Sequence, residues 1–138
     1  MTPKDQCEIL LDALLNAAEA LLKKNGEFYP IGAVLTTDEQ VTFTAADLDN
    51  DFPDSQSVIK CLIASHKQMA ETGAIKTSGI AWDATITTPN GKRSDAIIVS
   101  LEHKDNYSVI IAQPYKVGLF KQIKFGEIMA QMGNNDIF

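Results

Sequence analysis

Asp47, Asp49 and Asp51 stand at the first, third and fifth places of a calcium-loop pattern, where hard carboxylate oxygens could converge on a cation. The pattern then breaks. Phe52 sits where the sharp turn needs glycine, and Val58 where a bidentate glutamate should close the site. These acids are expected to solvate a loop and cap the helix that follows, and no metal is expected. The soft ligands are Cys7, Cys61, His66 and His103, and no two share zinc-ligand spacing. Cys61 and His66 are five apart, on different sides of a helix. Cys61 therefore reads as a small core residue and His66 as a core histidine with a backbone partner.

Nucleophilic catalysis needs a serine or cysteine activated by a base that is itself oriented by a third group. A hairpin about Asn90-Gly91 would set His103 opposite Ser78, a cross-strand pair with no sign of activation. No glycine-rich loop follows a strand and opens a helix, so a phosphate cradle is absent. Asp83 and Glu102 come closest to a working acid pair: the same hairpin places them diagonally on one face. With Tyr115 they form the candidate binding set; no catalytic residue and no cofactor is assigned.

The elements that position these residues are readable from punctuation and period. Thr2-Pro3-Lys4-Asp5 combines a hydroxyl cap, proline at the first helical position and an acid in the first turn. A helix runs from there to Asn25-Gly26, with one narrow polar stripe (Glu8, Asp12, Asn16, Glu19, Lys23). Its apolar arc exceeds what one neighbour covers, so two elements of its own domain or a partner must pack on it. Short strands follow at Glu27 to Leu35 and Gln40 to Ala45, the first marked as edge or bulged by Pro30 and Gly32. A second helix opens near Asp54-Ser55, closes at Thr72-Gly73, and carries the stripe Val58, Leu62 and His66.

Strands then run near Ile75 to Thr87, Ser94 to Lys104 and Tyr107 to Tyr115. Asn90-Gly91 predicts a two-residue turn, since both residues tolerate positive φ. That turn pairs Ile80 with Leu101, Trp82 with Val99 and Ala84 with Ile97, and sets Trp82 into the core face. A similar turn at Asp105-Asn106 would bring Leu101 to Ile110 and Val99 to Ala112. The apolar tail from Lys116 to Phe138 should dock as a short helix or turn, on the domain or on a neighbouring subunit, with Phe138 anchored. The expected fold is one α+β domain over residues 1–138: a mainly antiparallel sheet of about five strands with two helices on one face.

Composition narrows the function classes. The 138 residues are 45% hydrophobic and 22% charged, with net charge −6, which disfavours phosphate-backbone binding and so nucleic acid. No apolar run reaches the length of a membrane span, the N-terminus does not read as a signal peptide, and two cysteines make no disulfide framework. A cytoplasmic setting is expected.

Gly26-Glu27-Phe28-Tyr29-Pro30 running into Gly32-Ala33-Val34-Leu35, then Ser94-Asp95-Ala96-Ile97, Gln113-Pro114-Tyr115, Phe125-Gly126-Glu127 and Asp136-Ile137-Phe138 cover most of the chain. In these the chain resembles a group of small bacterial αβ proteins with no assigned activity. The resemblance implies a bacterial cytoplasmic protein and carries no functional residues across. The expected function is a small acidic, non-enzymatic protein-binding module that self-associates as a homo-oligomer, of the kind that includes toxin-neutralising partners. The alternative is a small-molecule binder or weak enzyme using a pocket on the sheet face.

Overall fold

Thr2 caps α1 (Pro3–Asn25): its hydroxyl accepts from the Asp5 N–H while the Asp5 carboxylate accepts from the Thr2 N–H. Gly26 closes the helix in the left-handed region at φ 78°. Asp54 caps α2 (Ser55–Glu71) by accepting from the Ser57 N–H at 2.7 Å. The computed structural model describes residues 1–46, 53–120 and 122–138, so Asp47, Asp49 and Asp51 lie outside the described residues.

Among the described residues, seven strands form one antiparallel sheet: β1 (Ile31–Thr36), β2 (Val41–Thr44), β3 (Ile75–Thr87), β4 (Arg93–His103), β5 (Tyr107–Val117), β6 (Ile123–Phe125) and β7 (Met129–Met132). Their order is β2-β1-β3-β4-β5-β6, with β7 also on β5. The α+β class and the element order agree with the sequence. The tail accounts for the strands beyond five. It lays β6 and β7 along successive stretches of the β5 edge rather than folding as a helix or turn. Its anchor is Ile137, 5% exposed, while Phe138 is 38% exposed. β1 is an interior strand rather than an edge, because Pro30 ends just before its ladder begins, but its register against β3 does shift, between Leu35 and Thr36.

Both hairpins are one residue out of the expected register. Trp82 pairs with Ile98, Ala81 with Val99, and Val99 in turn with Ile111. At the first turn Thr88 donates to the Lys92 carbonyl at 2.8 Å and Gly91 donates to the Thr88 carbonyl at 2.9 Å. The loop is therefore the three residues Pro89-Asn90-Gly91. Pro89 takes the second place of the turn, which its fixed φ suits, and Gly91 alone is left-handed at φ 82°. Asn106, at φ 68°, plays the same part at the second turn, between His103 and Tyr107.

The slip decides the layers. Ala33, Ala81, Ile97, Val99, Leu101 and Ile111 face α1 and pack on Cys7, Leu10, Leu14, Ala18 and Leu22. Ile80 and Trp82 face the other way, onto Val58 and Leu62 of α2. The helices thus lie on opposite faces of the sheet, not on one. Pairing by one residue less sends alternate side chains to the other side. Within its own domain, Phe28 and Tyr115 join the layer over α1, with Ile123 of β6 packed against it, while Ile9, Leu11, Leu15 and Leu21 stay partly buried.

Candidate functional site

Of the three candidate binding residues, the structure joins two. The Tyr115 hydroxyl donates to Asp83 Oδ1 at 2.7 Å on the α1 face. Burial raises the Asp83 carboxyl above its usual range, although the Tyr115 hydrogen bond holds it down. Burial, then the hydrogen bond and charge of Asp83, push the Tyr115 phenol up, so it remains a neutral donor.

Glu102 lies apart from them. It pairs with Ser78, on the opposite face from Asp83, because the register is shifted. It is 4% exposed, and its Oε1 accepts from the Ile137 N–H at 3.1 Å. The neighbouring N–H groups of Asp136 and Phe138 lie close enough to favour its charged form. Burial still raises its pKa, and the N–H groups work against that rise. Glu102 is the latch of the tail, occupied by this chain's own backbone. The diagonal pairing with Asp83 does not exist.

A buried polar row crosses from α2 to the sheet. His66, fully buried, hydrogen-bonds Thr44 Oγ1 through Nε2 and Ser78 Oγ through Nδ1, each at 2.7 Å. Its partners are two hydroxyls rather than backbone. Ser78 is 2% exposed, and no carboxylate orients the imidazole, so the row lacks both the access and the third member that an acyl-transfer site needs. Burial pushes His66 down to about 4. The unfolded chain, near the ordinary 6.5, then takes up the proton first. The contribution is complete above 6.5 and is lost as pH falls toward 4. Raised Asp83 and Glu102 act with the opposite sign, because the folded protein protonates them first. By pH 5 the His66 loss amounts to about 2 kcal/mol. Chemical denaturation from pH 7 to 5 should show falling stability, with a shallower fall in His66→Gln. An unchanged slope in that variant would remove His66 as the cause.

On the α1 face, the Asp105 N–H donates to His103 Nδ1 at 3.0 Å, so Nε2 carries the proton and donates to Gln6 Oε1. Gln6 continues to Glu39, which pairs with Lys76 at 3.0 Å. This network ties α1 to the loop between β1 and β2 and to the start of β3. Its His103 faces Thr77 rather than Ser78. Among the described residues, no group of three or more histidines, cysteines or acids could hold a metal.

What remains open is the far half of the α2 face. α2 covers the β1 and β3 side, and the 136–138 segment covers Glu102. Between them lies a cavity of about 420 Å³ floored by Trp82, Ile86, Ile98, Ile110 and Ala112 and walled by Met129. Trp82 is half-buried: one part packs on the α2 cluster while the ring edges the trough. A second cavity, of about 430 Å³, continues past Met129 to the first hairpin, where Lys92, Arg93, Lys116 and Glu127 line it.

Known protein families, curated proteins and solved structures contain no match to this chain.

The trough was missed because its floor, Ile98, Ile110 and Ala112, lies on strands with apolar residues on both faces. Alternation cannot say which side is left bare. The mixed character of the face carrying Ile98 was the available signal.

Proposed function

We propose that this chain is a non-enzymatic, protein-binding module of the bacterial cytoplasm. It holds an extended segment of a partner protein in the trough between Trp82 and Met129. The supporting observation is that trough: an apolar, concave strip of sheet that neither helix nor the tail covers, of a size suited to two or three side chains. Both cysteines, Cys7 and Cys61, are free, which fits a reducing compartment, and no helix among the described residues is long and apolar enough to cross a membrane. A small-molecule site built from Asp83, Glu102 and Tyr115 has less support, because these residues occupy two faces.

The test is selection of short peptides from a displayed random library on the immobilised protein. Trp82, the single tryptophan, reports occupancy by fluorescence. Selected peptides should carry apolar residues at alternate positions, shift the Trp82 emission, and bind at least about tenfold more weakly to Ile110→Glu. Ile110 is half-exposed, so the folded state should survive the change. Peptides that bind Ile110→Glu equally well, or leave Trp82 unmoved, overturn the proposal. Sedimentation at micromolar concentration that shows a dimer burying Trp82 replaces the hetero-partner with a second copy of this chain.

A further inference from the structure

Four cations meet at one end of a protein whose net charge is −6. Lys116 on β5 pairs directly with Lys124 on β6, the two lying across the ladder from each other. Like charges set opposite in an antiparallel pair destabilise it, and nothing in the fold requires lysine at either place. Both line the surface beside Pro114 and Gly126, and Lys116 also lines the larger cavity with Lys92 and Arg93. Among the described residues, none of these four forms an ion pair. Glu127 is the one acid lining the larger cavity, so a positive excess remains.

We propose that this basic end is the acid-reading half of the binding face, and that the partner segment places carboxylates there while its apolar residues fill the trough. The inference rests on the trough being the binding surface. Position favours a peptide over a small anion. The two cavities share Met129, and Ser94 beside the cations stands four residues along β4 from Ile98 in the trough floor. At about 3.3 Å per residue that is about 13 Å, the reach of an extended segment of four or five residues. One ligand therefore spans both only if it is a chain. The local field also opposes the protein's overall acidity, which would repel an acidic segment from most other places on the surface.

The probe is a seven-residue peptide with Phe and Ile at its first and third positions and Glu at its sixth and seventh, beside a copy with Gln for both Glu. The acidic peptide should shift Trp82 emission and bind about tenfold more tightly than the Gln copy at low ionic strength. That advantage should shrink toward none as salt is raised from roughly 0.05 to 0.5 M. Lys124→Glu should abolish the advantage while leaving the melting temperature unchanged or higher, since it removes a like-charge pair; a purely structural role would lower it. If both peptides bind alike and Ile110→Glu weakens both, the acidic preference is overturned and the trough reading stands. If neither peptide shifts Trp82, or Ile110→Glu leaves binding intact, the trough reading itself falls.

Discussion

Gly32→Ala is expected to remove about 2–6 kcal/mol of stability, among the largest effects of any single methyl added to this protein. A Cβ at residue 32 would lie 2.3 Å from Thr44 Oγ1 and 2.9 Å from His66 Nε2. Neither can withdraw freely. Thr44 belongs to the β2 ladder, and the imidazole is fixed at both nitrogens. Pushing them apart overpacks the site, at about 1–3 kcal/mol, and strands buried polar atoms at about 1–3 kcal/mol more. Denaturant titration should show the loss. Adding Thr44→Ala should return part of it, a non-additivity that marks the two sites as touching. Gly79→Ala is the natural contrast. Its Cβ would meet the ends of Leu14 and Leu101 at 2.7 and 3.1 Å, which are side-chain tips that can turn aside. If Gly32→Ala is no worse than Gly79→Ala, the polar row is not the rigid element described above.

Deleting residues 129–138 is expected to lower the melting temperature by about 10–20 °C or prevent folding altogether. The deletion takes β7 off Val109–Ala112, removes buried Ile137, and withdraws the Ile137 N–H from Glu102. Burial of Ile137 contributes about 1.5–3 kcal/mol, and each lost ladder bond about 1 kcal/mol. Differential scanning calorimetry measures the sum, and Ile137→Ala isolates its largest packing part at about 2–3 kcal/mol. Gly133→Ala should imitate the deletion in part, because its Cβ would stand 2.7 Å from the Val109 backbone nitrogen, which cannot yield. A truncated protein that melts within a degree or two of the whole chain would mean the tail is not part of the fold.

Helix boundaries were legible because they depend on local chemistry: Thr2, Gly26 and Asp54 act on their own neighbours wherever the helix later packs. Hairpin existence was legible for the same reason. Register was not. Asn90-Gly91 marks a reversal, but Pro89 shifts which residue must be left-handed, and one residue of loop exchanges every face. Hydrophobicity could not correct the error, because Ile97, Ile98 and Val99 are consecutive and all buried. A strand that is apolar on both faces carries no alternation to read.

The candidate site failed by the same mechanism. Asp83 and Glu102 shared a face only in the shifted register, while Asp83 and Tyr115 meet in the true one. The lysine pair is a product of β6, three residues long, whose docking on β5 no local pattern announces.

The placement of β6 and β7 also orders events as the chain is made. β5 sits between an early neighbour, β4, and an edge that only residues 123–132 can fill. Until residues 123–132 dock, that edge stays open. During that interval the nascent sheet presents an unpaired, apolar strand to its crowded surroundings. Pro114 removes one amide from β5, and Lys116 puts a charge beside the bare stretch. Both residues discourage a foreign strand from arriving before the chain's own.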